Sequence, residues 1–233
     1  MKYFMEENMG KKLSDKYRYE RKFSFKASNL NSLYSFLIAK GFYEQYPLRI
    51  VSSIYYDTNN YHLFRISEAG YNKRIKKRIR WYGGDQKINL EYKIKDGELG
   101  SKLIKNDLSE FGVKKKLLVC SPLSSENYEQ YIPEVIDQLY VPSAAITYKR
   151  FYLISNCQNV RVTLDHKINY SKPIFFNNAF HINNWLSSSN YVMEVKFDEN
   201  LSRPFDYLFN ILDKYRLNLS RYSKYCEAIN MLT

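Results

Sequence analysis

At least five segments of this chain alternate strictly between apolar and charged residues, and that period of two constrains the fold more than any other feature. In "RIKKRIRWYG" one parity reads Arg74, Lys76, Arg78, Arg80 and Tyr82, and the other reads Ile75, Lys77, Ile79 and Trp81. Successive side chains of a β-strand point to opposite faces, so this pattern is a strand with one cationic face. "LEYKIK" sets Glu91, Lys93 and Lys95 against Leu90, Tyr92 and Ile94. "VRVTLD" sets Arg161, Thr163 and Asp165 against Val160, Val162 and Leu164, and "VMEVKF" sets Glu194 and Lys196 against Met193, Val195 and Phe197. In "YRYERKFSF" the charged parity is Arg18, Glu20, Lys22 and Ser24, and Arg150 shares its parity with Tyr148 and Tyr152.

The same reading places strands at 17–25, 49–57, 73–83, 87–95, 143–155, 160–168 and 191–198, with a Gly83–Gly84 turn joining the third and fourth as a hairpin. A helix over 28–40 presents Leu30, Leu33, Leu37 and Ile38 on one face and stops at Gly41. Further helices are expected at 106–118, 125–139 and 202–215, a short one in "INNWL" within an Asn- and Ser-rich stretch (171–190), and a final one in "YSKYCEAINML". Residues 1–15 read as a loose arm before a single domain from 16 to 233.

One charged strand face is usually a solvated face. Five strands repeating a narrow code of Arg, Lys and Glu ask for more. Closing the strands into a barrel removes exposed edges. The expected fold is therefore α+β: a closed antiparallel β-barrel with helices packed outside on the apolar faces and the charged faces turned inward. Unpaired buried charge is costly, so such an interior is wet and holds a polyanion. Glu20, Glu91, Asp165 and Glu194 would orient the cations and hold Mg²⁺ or Mn²⁺, which take carboxylate and phosphate oxygens.

Composition agrees. The 36 Lys and Arg against 24 Asp and Glu give a formal charge of +12, which favours polyanionic partners. Cys120, Cys157 and Cys226 are scattered and odd in number, against a disulfide framework or a zinc site and in favour of a reducing cytoplasm. No apolar run suits a leader or a membrane span. His62, His166 and His181 are isolated, and no Ser, Cys or His nucleophile stands out. An open basic sheet on nucleic acid is the competing picture, but it needs no acids placed regularly among its cations.

"YRYERKF", "YYDT", "KRIRWYG", "LEYK", "AITYKRFY", "VRVTLD", "VMEVKF" and "RYSKY" follow one another in this order. This succession resembles the VTC domain, the polyphosphate polymerase domain of vacuolar transporter chaperone proteins, within the CYTH-like triphosphate tunnel metalloenzymes. The resemblance runs from about residue 16 to 230. It implies a basic tunnel in which the γ-phosphate of ATP passes to a growing inorganic polyphosphate chain, with Mn²⁺ or Mg²⁺ as cofactor. It implies catalytic roles for Lys22, Arg78, Arg80, Lys93 and Lys224, phosphate binding by Arg150, Arg161, Lys196, Lys105 (or Lys102) and Lys76, and Glu194 as metal ligand. It implies ATP and polyphosphate as partners, no nucleic acid, and a separate membrane partner subunit if the product is exported. Tunnel hydrolases carry Glu-x-Glu-x-Lys in the first strand, whereas this chain has Arg18, Glu20 and Lys22. That departure leans toward a polymerase. A triphosphate hydrolase and a non-catalytic domain binding polyphosphate or inositol phosphates remain the alternatives.

Overall fold

The computed structural model describes residues 18–83, 88–97, 99–107, 140–176, 179–198, 214–215 and 217–233. The 1–15 arm, the helix expected at 125–139, and nearly all of those at 106–118 and 202–215 lie outside the described residues. Asn106 and Asp107 belong to a strand instead of a helix.

The longer strands are β1 (Arg18–Phe25), β2 (Phe42–Asp57), β3 (Lys73–Tyr82), β4 (Ile88–Asp96), β5 (Leu99–Asp107), β6 (Val141–Ser155), β7 (Val160–Ser171) and β11 (Tyr191–Asp198). The short ones are β8 (Ile174–Phe176), β9 (Ala179–His181), β10 (Leu186–Ser187) and β12 (Asn218–Leu219). The helices are α1 (Leu30–Ala39), α2 (His62–Glu68) and α3 (Lys224–Leu232). All pairings of the large sheet are antiparallel, in the order β7–β11–β1–β5–β4–β3–β2–β6, and β6 pairs again with β7.

The expectation of a closed barrel is corrected at one seam. β1 meets β5 only at Arg18–Gly100 and Tyr19–Leu99. The β4–β5 hairpin turns at Gly97, whose φ of +58° suits glycine, so β5 begins level with the first residues of β1. Farther along, β1 takes β12 through Phe23–Leu219 and Ser24–Asn218, and the Ser220 amide donates to the Lys22 carbonyl at 2.8 Å.

The alternation read from the sequence survives as two faces of this curved sheet. Outward residues form two apolar clusters. One contains Ile54, Tyr56, Ile79, Trp81, Ile88 and Leu90. The other joins Phe23, Phe25, Leu153, Val162, Leu164, Met193 and Val195 to Leu33 and Leu37 of α1. Both leucines are fully buried. Burying such a side chain is worth roughly 2 kcal/mol, which fixes α1 on the outside. Ile38, expected on the same face, is 40 % exposed.

Several differences from the sequence reading have local causes. β2 starts at Phe42, not near 49, because "YEQYP" lacks alternation and its pairing with β6 slips twice between Glu44 and Arg49, around Pro47. β5 was hidden in "LGSKLIKND", where Ser101 and Lys105 interrupt the parity of Leu99 and Leu103, and Gly100 and Ile104 interrupt that of Lys102. "INNWL" is not helical: Asn184 has φ +56° and Leu186–Ser187 pairs with Asn169–Tyr170. The short helix α2 follows the Asp57 carboxylate, which accepts the amides of Thr58, Leu63 and Phe64.

The helices expected outside are those at 28–40, 125–139 and 202–215; α3, given no side by the sequence, takes the inner side. Its Tyr225, Cys226, Ala228 and Ile229 cluster with Tyr55, Ala144, Ile146, Tyr148, Ile168, Tyr170 and Val192. Tyr55, Ala144, Ile146, Tyr148 and Val192 have inward parity, and most of the set sits near one end of its strands: late in β2 and β7, early in β6 and β11. The amphipathic "KYCEAINML" pattern is the same for either side of a sheet, so only the partner residues decide which side it covers.

Candidate functional site

Contacts between strands that are not neighbours identify the concave face. Lys93 of β4 reaches Glu20 of β1, with Nζ 2.7 and 2.8 Å from the two carboxylate oxygens, although β5 lies between those strands. Arg80 of β3 donates to the Tyr148 hydroxyl of β6 at 3.2 Å, past β2. The inward face therefore encloses a groove, and its charged residues fall into three groups.

The first group is built on β3 and β4, whose register sets Arg78 opposite Glu91. Glu91 is 1 % exposed. It accepts from Arg78 Nε at 2.7 Å and pairs with Arg78 Nη2 at 2.6 Å, with Arg80 at 3.7 Å and with Lys102 of β5. Arg78 Nη1 donates to the Tyr55 hydroxyl at 2.7 Å, and Arg80 Nε donates to Ser53 Oγ at 3.0 Å. Burial would raise the Tyr55 phenol, but Arg78 and Arg80 beside it bring it down to about 7. Tyr55 also stacks on Tyr225 of α3 with ring centroids 5.2 Å apart.

In the second group β6 faces β7. Arg150 holds Asp165 with both edges of its fork, Nε at 2.5 Å and Nη2 at 2.7 Å, and Lys224 of α3 pairs with the same carboxylate. Lys224 also lies over the Tyr148 ring, 4.6 Å from its centroid.

The third group spans β1 and β11. Their register sets Lys22 opposite Glu194 and Glu20 opposite Lys196. Lys196 lies 2.7 Å from Glu194 and 3.7 Å from Glu20, and Lys22 lies 3.4 Å from Glu20 and 4.0 Å from Glu194. Two carboxylates thus share two lysines. Burial works against charge on Glu20, Glu91, Asp165 and Glu194, yet the neighbouring cations win and hold all four carboxyls below the usual range. The lysines divide. Lys22 and Lys196 are half-buried, which works against their charge, but Glu20 and Glu194 raise them. For Lys93, burial and the charges of Lys22 and Lys196 outweigh Glu20 and Glu194 and bring it down to about 8. Lys76 and Lys102 are lowered too, by burial first.

The N-terminal end of α3 joins this array. Lys22 donates to the Tyr222 carbonyl at 3.1 Å, and Lys76 donates to Ser223 Oγ at 2.6 Å. Ser223 is the N-cap of α3 and accepts from the Cys226 amide.

The structure thus brings Lys22, Lys76, Arg78, Arg80, Lys93, Arg150, Lys196, Lys224 and Glu194 to one face. Arg161 lies on that face by register, opposite Lys196. Lys105 is different. The register pairs it with Leu90, of outward parity, and its side chain lies outside the described residues. Lys102, opposite Lys93, supplies the β5 cation. Lys76, expected to bind phosphate, is tied to the cap of α3. Lys77, on the apolar parity of β3, stands 3.4 Å from the centroid of the Tyr140 ring. Sequence reasoning missed Ser53, Tyr55 and Ser223 as partners of the cations. The signal was present for two of them, since Ser53 and Tyr55 share the parity that faces Arg78 and Arg80. Cys157 and Cys226 are free thiols, the first exposed and the second buried. His166 is sandwiched between Phe151 and Tyr191.

Among the described residues no helix is long and apolar enough to cross a membrane, and no three His, Cys, Asp or Glu side chains gather as metal ligands.

Solved structures share this fold at low identity. The Hippeastrum protein HpAC1, an adenylyl cyclase candidate with a dominant triphosphatase activity, is 12 % identical with a TM-score of 0.54, over 93 % of this chain and 97 % of that one. An adenylate cyclase candidate from Vibrio parahaemolyticus is 11 % identical with a TM-score of 0.53, over 91 % and 98 %. One from Bacillus halodurans is 15 % identical with a TM-score of 0.52, over 89 % and 94 %. No curated protein matches the chain in sequence. The family model of the VTC domain matches residues 17–233, nearly the whole length. The chain belongs to the VTC domain family.

Proposed function

We propose that the groove is a phosphate tunnel in which this protein transfers the γ-phosphoryl group of ATP to the end of an inorganic polyphosphate chain. The observation that carries this reading is the convergence, among the described residues, of Lys22, Arg78, Arg80, Lys93, Lys102, Arg150, Lys196 and Lys224 around the four carboxylates of Glu20, Glu91, Asp165 and Glu194, each already engaged by cations. The groove lacks negative charge, and a chain of phosphates supplies it.

Phosphoryl transfer needs positioning and charge neutralisation more than covalent help. The bond from the γ-phosphorus to the β–γ bridging oxygen breaks, a bond to the terminal oxygen of the acceptor chain forms, and ADP leaves. Arg78 and Arg80 are held from behind by Glu91, Tyr55 and Ser53, so their planar forks are oriented before a phosphate arrives. Arg150 is oriented by Asp165 in the same way. Lys22, Lys93 and Lys196 act as point charges on the incoming and leaving oxygens.

Glu20 and Glu194 suit a hard divalent ion. They are ionised oxygen donors that share Lys22 and Lys196, and two carboxylates plus phosphate oxygens are a common Mg²⁺ environment. Glu20 and Glu194 would hold Mn²⁺ or Mg²⁺ there, and the ion would supply charge neutralisation at the phosphate oxygens. Glu91 and Asp165 serve the arginines and Lys224 instead, which leaves this groove fewer acids for metal than its charge pattern first suggested.

Incubation with ATP and Mn²⁺ followed by sizing of the product on a gel tests the reading. A ladder of polyphosphate with stoichiometric ADP is expected. Free phosphate alone would make the protein a hydrolase, the activity named for the Hippeastrum neighbour. Tight polyphosphate binding without turnover would make it a binding domain. A membrane-bound partner and a cytoplasmic location belong to the same proposal, tested by co-purification from membrane and soluble fractions.

A further inference from the structure

We infer that the Thr163 hydroxyl is a phosphate-binding group of the groove, donating to a non-bridging oxygen of a triphosphate or polyphosphate. The assignment rests on the phosphate-groove reading above. Thr163 lies on the inward parity of β7 between Arg161 and Asp165, with Glu194 opposite on β11 and Tyr152 opposite on β6. The residue is 8 % exposed, and its Oγ1 has no hydrogen-bond partner among the described residues. The groups around it are committed elsewhere: Glu194 to Lys196 and Lys22, and Asp165 to Arg150 and Lys224.

A buried hydroxyl without a partner penalises the ligand-free protein, and valine would fill the same β-branched space without that penalty. Strand preference does not separate the two residues, since both are good strand formers. A hydroxyl is therefore explained by what it meets when the groove is filled. Its one O–H donor matches a phosphate oxygen, which only accepts. The cations on either side along this wall, Arg150 and Arg161, draw a phosphate chain past that point. The hydroxyl adds a directional, uncharged contact among point charges, so it fixes the register of the chain instead of its overall attraction.

The test measures tripolyphosphate binding by calorimetry in EDTA for the wild type, Thr163→Val and Thr163→Ser, with melting of each ligand-free protein. Thr163→Val is expected to bind roughly tenfold to a hundredfold more weakly, the range for losing a hydrogen bond to a charged group. Thr163→Ser keeps the donor and should stay within about threefold of the wild type. Ligand-free Thr163→Val should melt no lower than the wild type. Unchanged binding by Thr163→Val overturns the assignment while leaving the groove reading intact. A lowered ligand-free melting point overturns it as well, because the hydroxyl then has a structural partner. A loss seen with Mn²⁺ but not in EDTA ties the hydroxyl to the cation and rejects the phosphate contact. If the wild type itself fails to bind, the groove reading and the assignment fall together.

Discussion

The β3–β4 wall and the β1–β11 wall of the groove are built on different principles. On the first, Arg78 and Arg80 are clamped by Glu91, Tyr55 and Ser53, and the shared carboxylate is 1 % exposed. On the second, Glu20 and Glu194 are spread over Lys22, Lys196 and Lys93 at distances from 2.7 to 4.0 Å. One wall is rigid and directional. The other is a loose set of point charges whose partners can exchange. The phosphoryl transfer proposed above needs both, a grip that does not move and a place where charge can be redistributed as a bond shifts.

The contrast can be broken most forcefully at Glu91. Glu91→Gln strands two arginines and a lysine, and removing one member of a buried ion pair costs about 3 kcal/mol. Urea denaturation should show that loss, and a clearly smaller one for Glu20→Gln, whose side chain is 17 % exposed. Equal losses would mean the two walls are not mechanically different. Next in size is Glu194→Gln. Turnover of ATP with Mn²⁺ should fall on the order of a hundredfold, while tripolyphosphate binding in EDTA is retained. Unchanged turnover removes Glu194 from the metal role.

A pH series sharpens the comparison because each set of contacts includes one group that titrates near neutrality, Tyr55 of β2 beside Arg78 and Lys93 of β4 beside Glu20. Tyr55 is brought down to about 7 and Lys93 to about 8. Raising the pH makes Tyr55 anionic and then Lys93 neutral, so both changes subtract positive charge and weaken anion binding several-fold. A bound polyanion favours the protonated form of each, so binding must take up protons, read as a buffer-dependent heat. Tyr55→Phe should erase the part near pH 7 and leave the part near 8. The smallest effect belongs to Tyr225→Phe, which removes the hydroxyl that donates to Asp57. It should lower stability by about 1 kcal/mol without changing the pH profile.

The charged parity was legible because it is local: a period of two needs no knowledge of partners. It placed Arg78, Arg80, Lys93, Arg150 and Glu194 on one face, and the register keeps them there. Two things were not legible, for one reason. The side on which α3 packs and the partial β1–β5 seam depend on which strand lies beside which. Lys105 was legible but passed over: it stands three residues from Lys102, so alternation alone sets the two on opposite faces, and the bulge between Asn89 and Leu90 lies beyond both. Tyr55 and Ser53 were legible by parity but carry no charge, so a search for cations passed over them.

The seat of α3 has a consequence for traffic. The Tyr222 carbonyl and the Ser223 hydroxyl already occupy Lys22 and Lys76 as phosphate oxygens would, so the helix is a resident imitation of the ligand at one end of the passage. Arg80, Arg161 and Lys196 lie toward the opposite ends of their strands. Among the described residues the two ends are thus unlike: at one the chain's own groups partner Lys22 and Lys76, and toward the other stand Arg80, Arg161 and Lys196. A conduit with unlike ends has a direction, and a polymer handled inside it has a leading end and a trailing one.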